Sequence, residues 1–172
     1  VSGALNGNLY CYINNGTNFT YNGTIFAGIN VGWMSSPAFV DINGNGHLDM
    51  LVGAEQGTNI KFYVNDGNNN FTLDNSYMTG ITAPRDGFPR FIDVDGDGDY
   101  DLLFGSINGR IVFYENIGND KEPQWQRNDS YFEGVKVGQH AAPSMADLDG
   151  DGVLDLILGD YYGNFTFYKN LE

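Results

Sequence analysis

The sequence predicts an all-β protein built from tandem four-stranded antiparallel units. A nine-residue acidic loop occurs three times, at residues 41–49, 93–101 and 147–155. Each copy is followed by a short apolar stretch that alternates with a period near two and ends in glycine, which is typical of strands. The copies start 52 and 54 residues apart. That period is typical of arrays of four-stranded units such as β-propeller blades.

Each repeat carries signals for four strands. In one repeat, Pro89 marks a short strand that leads into the loop, and Gly105 ends the strand that follows it. Gly109 turns the chain into a third strand that contains Phe113, and Trp125 starts a fourth strand. The equivalent residues of the other copies are Pro37, Gly53, Gly57, Phe62 and Phe71, then Pro143, Gly159, Gly163 and Phe167, with Gly3, Gly7, Cys11 and Phe19 in a partial first copy.

The repeats divide a single array that covers residues 1–172. We predict a partial unit at 1–34, full repeats at 35–86 and 87–140, and a partial repeat at 141–172. The chain opens without an initiator Met or a signal-peptide hydrophobic region, so we expect a processed protein or a piece of a longer one. Because both ends fall within a unit, we expect further repeats or neighbouring copies to complete them, in a head-to-tail arrangement that could grow as a filament.

The loop Asp93–Asp101 has the composition of a calcium site. Acidic side chains stand at loop positions 1, 3, 5 and 9, and glycines at positions 4 and 6 allow the backbone to coil around them. Calcium takes about six to eight oxygen ligands and tolerates irregular geometry, so it fits this set better than magnesium or zinc does. The twelfth position is Phe104, where an EF-hand needs glutamate, which excludes an EF-hand. Three copies in register favour an ion site over a solvated acidic turn.

The pattern Asp-x-Asp-Gly-Asp-Gly-x-x-Asp, followed by Leu-[Leu/Ile]-x-Gly-x-x-x-Gly, resembles the VCBS/FG-GAP repeat family over essentially the whole chain. Members of this family are calcium-binding β-propeller-type blades, as in integrin α-chain heads and microbial surface proteins. The resemblance implies a propeller-type fold, about three calcium ions and an extracellular or cell-surface location. It also implies adhesive or carbohydrate-related roles, although one fold hosts many functions.

The resemblance implies four side-chain ligands and one main-chain carbonyl in each loop. The main-chain donors would be His47, Asp99 and Val153, whose side chains need not match. The first loop departs from the pattern at Asn43 and Asn45, so we expect the weakest binding there. The implied side-chain ligands are Asp41, Asn43, Asn45 and Asp49 in the first loop, Asp93, Asp95, Asp97 and Asp101 in the second, and Asp147, Asp149, Asp151 and Asp155 in the third.

Composition narrows the range of partners. The net charge is −14 and the eight Lys and Arg are scattered, which argues against nucleic acid or an anionic membrane surface. No apolar run approaches the roughly 20 residues that span a bilayer. The one cysteine, Cys11, permits no internal disulfide and occupies a slot that other repeats fill with Phe, so we predict that it is buried.

Six Asn-x-Ser/Thr sequons exceed the number expected by chance and indicate N-linked glycans and a eukaryotic secretory pathway. Asn-rich turns also generate sequons incidentally. In the fourth strands, alternation would bury Phe19 and Trp125 and turn Asn22 and Asn128 to solvent, so we expect glycans on those two first. The six sequons are at Asn15, Asn18, Asn22, Asn70, Asn128 and Asn164.

These features favour a calcium-rigidified extracellular glycoprotein scaffold, adhesive or structural, without catalytic activity. Its partners would be copies of itself, further repeats of a longer chain, or an extracellular protein or polysaccharide. The alternative is a lectin-like propeller that stacks sugars on Trp33 or Trp125, with Tyr161 and Tyr162.

A polysaccharide lyase is the least favoured alternative. The two histidines, His47 in a loop and His140 in a predicted approach strand, occupy unrelated repeat positions. The sequence therefore shows no nucleophile–base constellation.

Overall fold

The computed structural model describes residues 1–55 and 60–171. Within these ranges the chain forms fourteen strands and two short 3₁₀ helices, and the strands build four antiparallel sheets. Each sheet is a meander in which strands consecutive along the chain pair with each other. The prediction of an all-β fold made of tandem propeller-type blades is therefore confirmed. Gly57, which was predicted to turn one of the hairpins, lies outside the described residues.

We number the sheets as blades in chain order. Blade 1 contains β1 (Ser2–Gly3), β2 (Leu9–Asn14) and β3 (Phe19–Asn22). Blade 2 contains β4 (Ser36–Val40), β5 (Asp49–Gly53), β6 (Lys61–Asn65) and β7 (Phe71–Leu73). Blade 3 contains β8 (Phe88–Ile92), β9 (Asp101–Gly105), β10 (Ile111–Asn116) and β11 (Trp125–Arg127). Blade 4 contains β12 (Ala142–Ala146), β13 (Asp155–Gly159) and β14 (Phe165–Tyr168), and the 3₁₀ helices are Asn75–Met78 and Asp129–Phe132.

The register of blade 3 shows how the acidic loop is placed. β8 pairs with β9 from Phe88 opposite Gly105 to Ile92 opposite Asp101. β9 pairs in turn with β10, and β10 with β11. The loop therefore joins the first and second strands at one end of the blade, and its last residue, Asp101, is already the first residue of β9.

Consecutive blades bury their apolar faces against each other. Between blades 2 and 3, Leu51 and Phe62 pack in one cluster with Leu102, Phe104 and Tyr114. All five side chains are at most 3% exposed. Equivalent clusters lie between blades 1 and 2 and between blades 3 and 4. A blade thus obtains its core from its neighbours, which is why the unit occurs as an array.

Backbone hydrogen bonds hold each connection between the hairpin turns of two blades. The N–H of Asp86 donates to the carbonyl of Glu55 in blade 2 at 2.9 Å, and the N–H of Ile107 in blade 3 donates to the carbonyl of Arg85 at 3.2 Å. The connections before β4 and β12 make the same pair of bonds. These bonds and the side-by-side first strands β4, β8 and β12 set the orientation of one blade to the next.

The glycine that ends the second strand permits close approach of the next blade. A Cβ on Gly105 would lie 1.8 Å from the carbonyl oxygen of Ala141, and a Cβ on Gly53 would lie 2.2 Å from that of Gly87. At Gly159, in the last blade, the nearest atom would be 3.6 Å away. The repeated glycine therefore serves the contact between blades rather than the turn.

The end blades expose positions that the middle blades bury. Phe19 is 70% exposed, so the prediction that it is buried is wrong. The equivalent Trp125 packs on the preceding blade, and the described residues contain no blade before blade 1. Phe167 is 52% exposed, whereas the equivalent Phe113 is 1% exposed against blade 4. Cys11 is 6% exposed, which confirms its prediction as a core residue.

Candidate metal sites in the acidic loops

The first carboxylate of each loop organises the turn. In the loop of blade 3, Asp93 Oδ1 accepts the N–H of Gly96 at 2.8 Å and Oδ2 accepts the N–H of Gly98 at 3.1 Å. Both glycines have positive φ, 76° and 98°, a conformation that costs glycine little. Asp147 and Asp41 each accept two backbone bonds in their own loops. The loop is therefore coiled around its first side chain in all three blades.

The ninth residue is buried and ties the loop to two strands. Asp101 is 1% exposed, its Oδ2 accepts the N–H of Val94 at 2.9 Å, and its Oδ1 accepts the N–H of Asn116 at 2.8 Å. Asp49 and Asp155 make equivalent pairs of bonds. Burial raises the pKa of Asp101 to about 6 and also raises the pKa of Asp49. A nearby cation would favour the charged form of these carboxylates.

In the loop of blade 3 the structure brings together three of the four predicted side-chain ligands. Carboxylate oxygens of Asp93, Asp95 and Asp101 lie within 4.8 Å of one another. Asp97 is outside this group, and its Oδ1 accepts the N–H of Asp99 at 2.9 Å. Burial, and then the neighbouring carboxylates, raise the pKa of Asp95. Such a set of oxygens fits a hard divalent cation.

In the loop of blade 4 a different trio comes together. Oxygens of Asp147, Asp149 and Asp151 lie within 4.8 Å of one another, whereas Asp155 is buried outside the group. The ammonium of Lys169 contacts Asp149 and lies 3.1 Å from Asp151 Oδ2. The hydrogen bond to Asp149 is the main cause that raises the pKa of Lys169. This loop therefore already holds a positive charge supplied by the chain.

The loop of blade 2 offers fewer carboxylates. Its two asparagines turn their amide nitrogens to protein acceptors, because Asn43 Nδ2 donates to Asp49 Oδ2 at 3.3 Å and Asn45 Nδ2 donates to the carbonyl of Asn65 at 3.3 Å. Only Asp41 and Asp49 supply charge, so this loop fits calcium less well than the loop of blade 3. That agrees with the expected weaker site, which stays a prediction.

The seventh residue of each loop was predicted to donate a main-chain carbonyl. A hydrogen bond holds the peptide group at this position, because its N–H donates to the side chain at loop position 5. The distance is 2.8 Å for His47, 2.9 Å for Asp99 and 3.0 Å for Val153. An asparagine recurs at the end of the third strand, at Asn65, Asn116 and Asn170, and the sequence alone does not show its role. That asparagine supplies the N–H that binds the ninth residue of the loop, which only the pairing of the strands could reveal.

The aromatic candidates for sugar stacking are not equivalent. Trp33 is 59% exposed, and Tyr161 and Tyr162 are 67% and 72% exposed with ring centroids 5.4 Å apart. Trp125 is half-buried, and its indole N–H donates to the carbonyl of Tyr77 in blade 2 at 2.7 Å. The prediction of Trp125 as an exposed platform is therefore wrong, because this side chain joins two blades.

The structure pairs a histidine with a residue that sequence analysis overlooked. His140 lies in the connection before β12, not in the approach strand as predicted. Its Nδ1 lies 3.5 Å from Oδ2 of Asp86, which is 5% exposed and holds the equivalent position one repeat earlier. The ring of His140 lies 5.2 Å from that of Tyr161. The spacing of 54 residues between Asp86 and His140 was the signal that could have found this pair.

The sequons differ in exposure from the expectation. Asn22 and Asn128 are half-buried, so they are not the most solvent-facing of the six. The Oδ1 of Asn22 accepts the hydroxyl of Thr24 at 2.8 Å, and the Nδ2 of Asn128 donates to Glu115 at 3.1 Å. Use of the sequons stays a prediction. The four exposed sequon asparagines are Asn15, Asn18, Asn70 and Asn164.

The profile of the FG-GAP-like repeat matches residues 1–52, 43–104 and 93–158. The chain belongs to the FG-GAP-like repeat family. The three matches cover most of the chain, and they confirm the resemblance that the loop motifs indicated. No described helix of this FG-GAP-like array has the length and apolar character needed to cross a membrane.

Seven chains of solved structures match the FG-GAP-like array. One is a lectin of Agrocybe aegerita, described for its specific recognition of non-reducing terminal N-acetylglucosamine. It is 21% identical with a TM-score of 0.50, and the match covers 95% of this chain and 46% of the lectin chain. At this identity the likeness shows the fold alone, and this chain spans less than half of the lectin. No curated protein matches the chain.

Proposed function

We propose that this array is a calcium-rigidified extracellular scaffold, adhesive or structural, that has no catalytic activity. The observation that carries the proposal is the design shared by the three loops. Each combines a coiled turn lined with carboxylates or amides and a buried aspartate that is hydrogen-bonded to two strands. In blade 3, where the buried Asp101 belongs to the carboxylate trio, an ion in the turn would link the first, second and third strands. The family membership and the fold shared with a lectin support a binding or structural role.

About three calcium ions would contribute a large share of the stability. If each site binds at roughly 10 µM in millimolar extracellular calcium, mass action gives about 3 kcal/mol per site. A domain typically has only about 5–15 kcal/mol in total. Two divalent charges near the acidic loops of blades 3 and 4 would also relieve the repulsion within a chain of net charge −14.

The test is thermal unfolding in millimolar calcium and in excess EGTA, with magnesium as the control ion. We expect EGTA to lower the melting temperature by many degrees and magnesium to restore little of it, because magnesium demands a regular octahedral shell. A melting curve that EGTA leaves unchanged would contradict the structural role of the loops.

The extracellular location and the glycans form part of the same proposal. Four sequon asparagines are exposed, which leaves room for an attached sugar. Glycopeptide mass spectrometry of material secreted by a eukaryotic host is expected to find at least some of these four occupied. Bare asparagines at all six sequons would remove this part of the proposal.

The end blades support an assembly of such arrays, with copies of this chain or further repeats as partners. On blade 1, Tyr12, Phe19 and Tyr21 are 46%, 70% and 55% exposed. In blade 3 the residue equivalent to Tyr12 is Tyr114, which is 3% exposed and donates its hydroxyl to the carbonyl of Thr82 in the preceding connection at 3.1 Å. Blade 1 therefore exposes at Tyr12 the residue type that blade 3 buries at the equivalent position.

The opposite end of the array exposes a matching face. Phe165 and Phe167 of blade 4 are 79% and 52% exposed, on the face where a following blade would pack. We expect concentration-dependent association in calcium by light scattering, and we expect the double change Phe165→Ser and Phe167→Ser to abolish it. A monodisperse monomer of the unchanged chain at every concentration would argue against assembly.

A second candidate function is carbohydrate binding, which an exposed tryptophan favours. Trp33 lines a shallow pocket of about 470 Å³ formed also by Ala4, Leu5, Asn6 and Gly32. An exposed indole beside an amide suits a sugar ring, because the apolar sugar face stacks on the ring and the hydroxyls bind the amide. A glycan array tests this, with Trp33→Ala expected to abolish the signal and Trp125→Phe to leave it unchanged.

A further inference from the structure

One position at the end of the third strand differs among the three blades and is charged in two of them. It immediately precedes the asparagine whose N–H binds the ninth loop residue. Blade 2 has Val64 there, blade 3 has Glu115 and blade 4 has Lys169. The three loops therefore receive a neutral, a negative and a positive side chain from the same place in the fold.

In blade 4 a direct contact brings the charge at this position to the loop. The Lys169 ammonium contacts Asp149 and lies 3.1 Å from Asp151, with these three side chains 38–40% exposed. In blade 3 the same position holds a carboxylate, Glu115, whose Oε2 accepts the Nδ2 N–H of Asn128 at 3.1 Å. Lys169 thus partly neutralises the negative charge of the loop in blade 4, whereas Glu115 supplies a negative charge at the same position in blade 3.

We propose that this third-strand position sets the calcium affinity of its loop, and that Lys169 is a built-in competing cation that must leave Asp149 and Asp151 before calcium binds in blade 4. This inference rests on the proposed function of the loops. Calcium needs direct oxygen ligands, and an ammonium held on two carboxylates of the trio occupies those oxygens and lowers their negative potential.

The proposal separates two loops that the sequence motif makes equal. The loops of blades 3 and 4 both have aspartate at positions 1, 3, 5 and 9, so a count of ligands predicts equal binding. The third-strand residue predicts that the loop of blade 3 binds calcium more tightly than the loop of blade 4. It also predicts that calcium binding weakens less steeply in blade 4 than in blade 3 when the salt concentration is raised, because part of the loop charge in blade 4 is already neutralised.

Calcium titration followed by amide NMR resolves the loops individually, through the N–H signals of Gly98 in blade 3 and Gly152 in blade 4. We expect Lys169→Met to tighten binding at Gly152 roughly tenfold and to leave Gly98 unchanged. Glu115→Lys should weaken binding at Gly98 by a similar factor. Lys136→Met is the matched control, because it removes the same charge from an exposed side chain outside the three loops and keeps the backbone bonds of residue 136 to the Tyr168 hydroxyl; it should change neither site.

The outcomes distinguish this inference from the function on which it rests. If calcium shifts Gly98 and Gly152 but Lys169→Met leaves the affinity at Gly152 unchanged, the competing-cation role is overturned and the calcium sites remain. An equal gain from Lys136→Met would also overturn it, because the effect would then be net charge alone. If calcium shifts neither signal in the unchanged chain, the proposed function itself fails.

Discussion

Replacing Gly105 with alanine tests how tightly the blades pack. The added Cβ would lie 1.8 Å from the carbonyl oxygen of Ala141 and 2.7 Å from Cδ of Pro143. Neither a backbone oxygen nor a proline ring can rotate away. Relief therefore requires β9 to move away from the connection that leads into blade 4, by about 1.6 Å if the Cβ is to reach an ordinary contact of 3.4 Å from its present 1.8 Å.

The cost of this movement follows from the contacts that it disturbs. Overpacking a close-packed contact typically costs about 1–3 kcal/mol. The N–H of Ala141 donates to the carbonyl of Ser106 at 3.0 Å, and losing this bond adds about 1 kcal/mol. The lower entropy of unfolded alanine offsets about 0.4–1 kcal/mol. We therefore expect Gly105→Ala to lower the free energy of unfolding by about 2 kcal/mol, within a range of about 1–3.5 kcal/mol.

Gly159 supplies the matched control, because it holds the equivalent position in blade 4. A Cβ there would meet its nearest atom, on the ring of Phe165, at 3.6 Å, which is an ordinary contact. Urea unfolding in calcium should show Gly159→Ala within about 1 kcal/mol of the unchanged chain. Equal losses from the two variants, or no loss from Gly105→Ala, would refute the account of the glycine as a contact between blades.

Three further predictions follow from the site. In calcium-free buffer, the free energy of unfolding should fall by up to about 3 kcal/mol as pH rises from about 4 through about 6, because the raised pKa of Asp101 keeps its carboxyl protonated to a higher pH in the folded state than in the unfolded state. Urea unfolding at several pH values should show a smaller fall in Asp101→Asn. An equal pH dependence in the variant and the unchanged chain would contradict the role of Asp101. In calorimetry, Asp101→Asn should weaken calcium binding to its loop more than Asp97→Asn, because Asp97 lies outside the carboxylate trio; equal losses would contradict the geometry. Trp125→Phe should lower the free energy of unfolding by about 1 kcal/mol through loss of the hydrogen bond to Tyr77. An unchanged melting temperature would contradict a stabilising role of the bond from the indole N–H to the carbonyl of Tyr77.

Local chemistry made the strands and loops predictable from the sequence. Prolines at the first strands, alternating apolar residues and paired glycines are signals that act over a few residues, and within the described residues the structure places strands and hairpin turns where these signals occur. The coil of the acidic loop is equally local, since Asp93 binds the N–H groups of Gly96 and Gly98 within its own turn. Cys11 could be assigned to the core because it shares a slot of the repeat with Phe62 and Phe113, in a strand whose apolar residues alternate; it is 6% exposed in the structure.

Contacts between blades were decided only by the tertiary structure. Phe113 and Phe167 occupy one slot of the repeat, yet the first is 1% exposed and the second 52% exposed, because burial there depends on a following blade. The same reason explains why Phe19 is exposed while Trp125 binds Tyr77. A repeat pattern describes one unit, whereas burial in this array belongs to pairs of units.

The electrostatics of the loops divide in the same way. The sequence by itself determined that loops of acidic and amide residues recur in register and that hard-cation chemistry suits them, because ligand type and spacing lie within nine consecutive residues. Only the tertiary structure decided that Asp101 is buried beneath its loop and that Lys169 reaches Asp149. The physical reason is that burial and charge compensation come from a neighbouring strand, whose side chains meet the loop only after the sheet has formed.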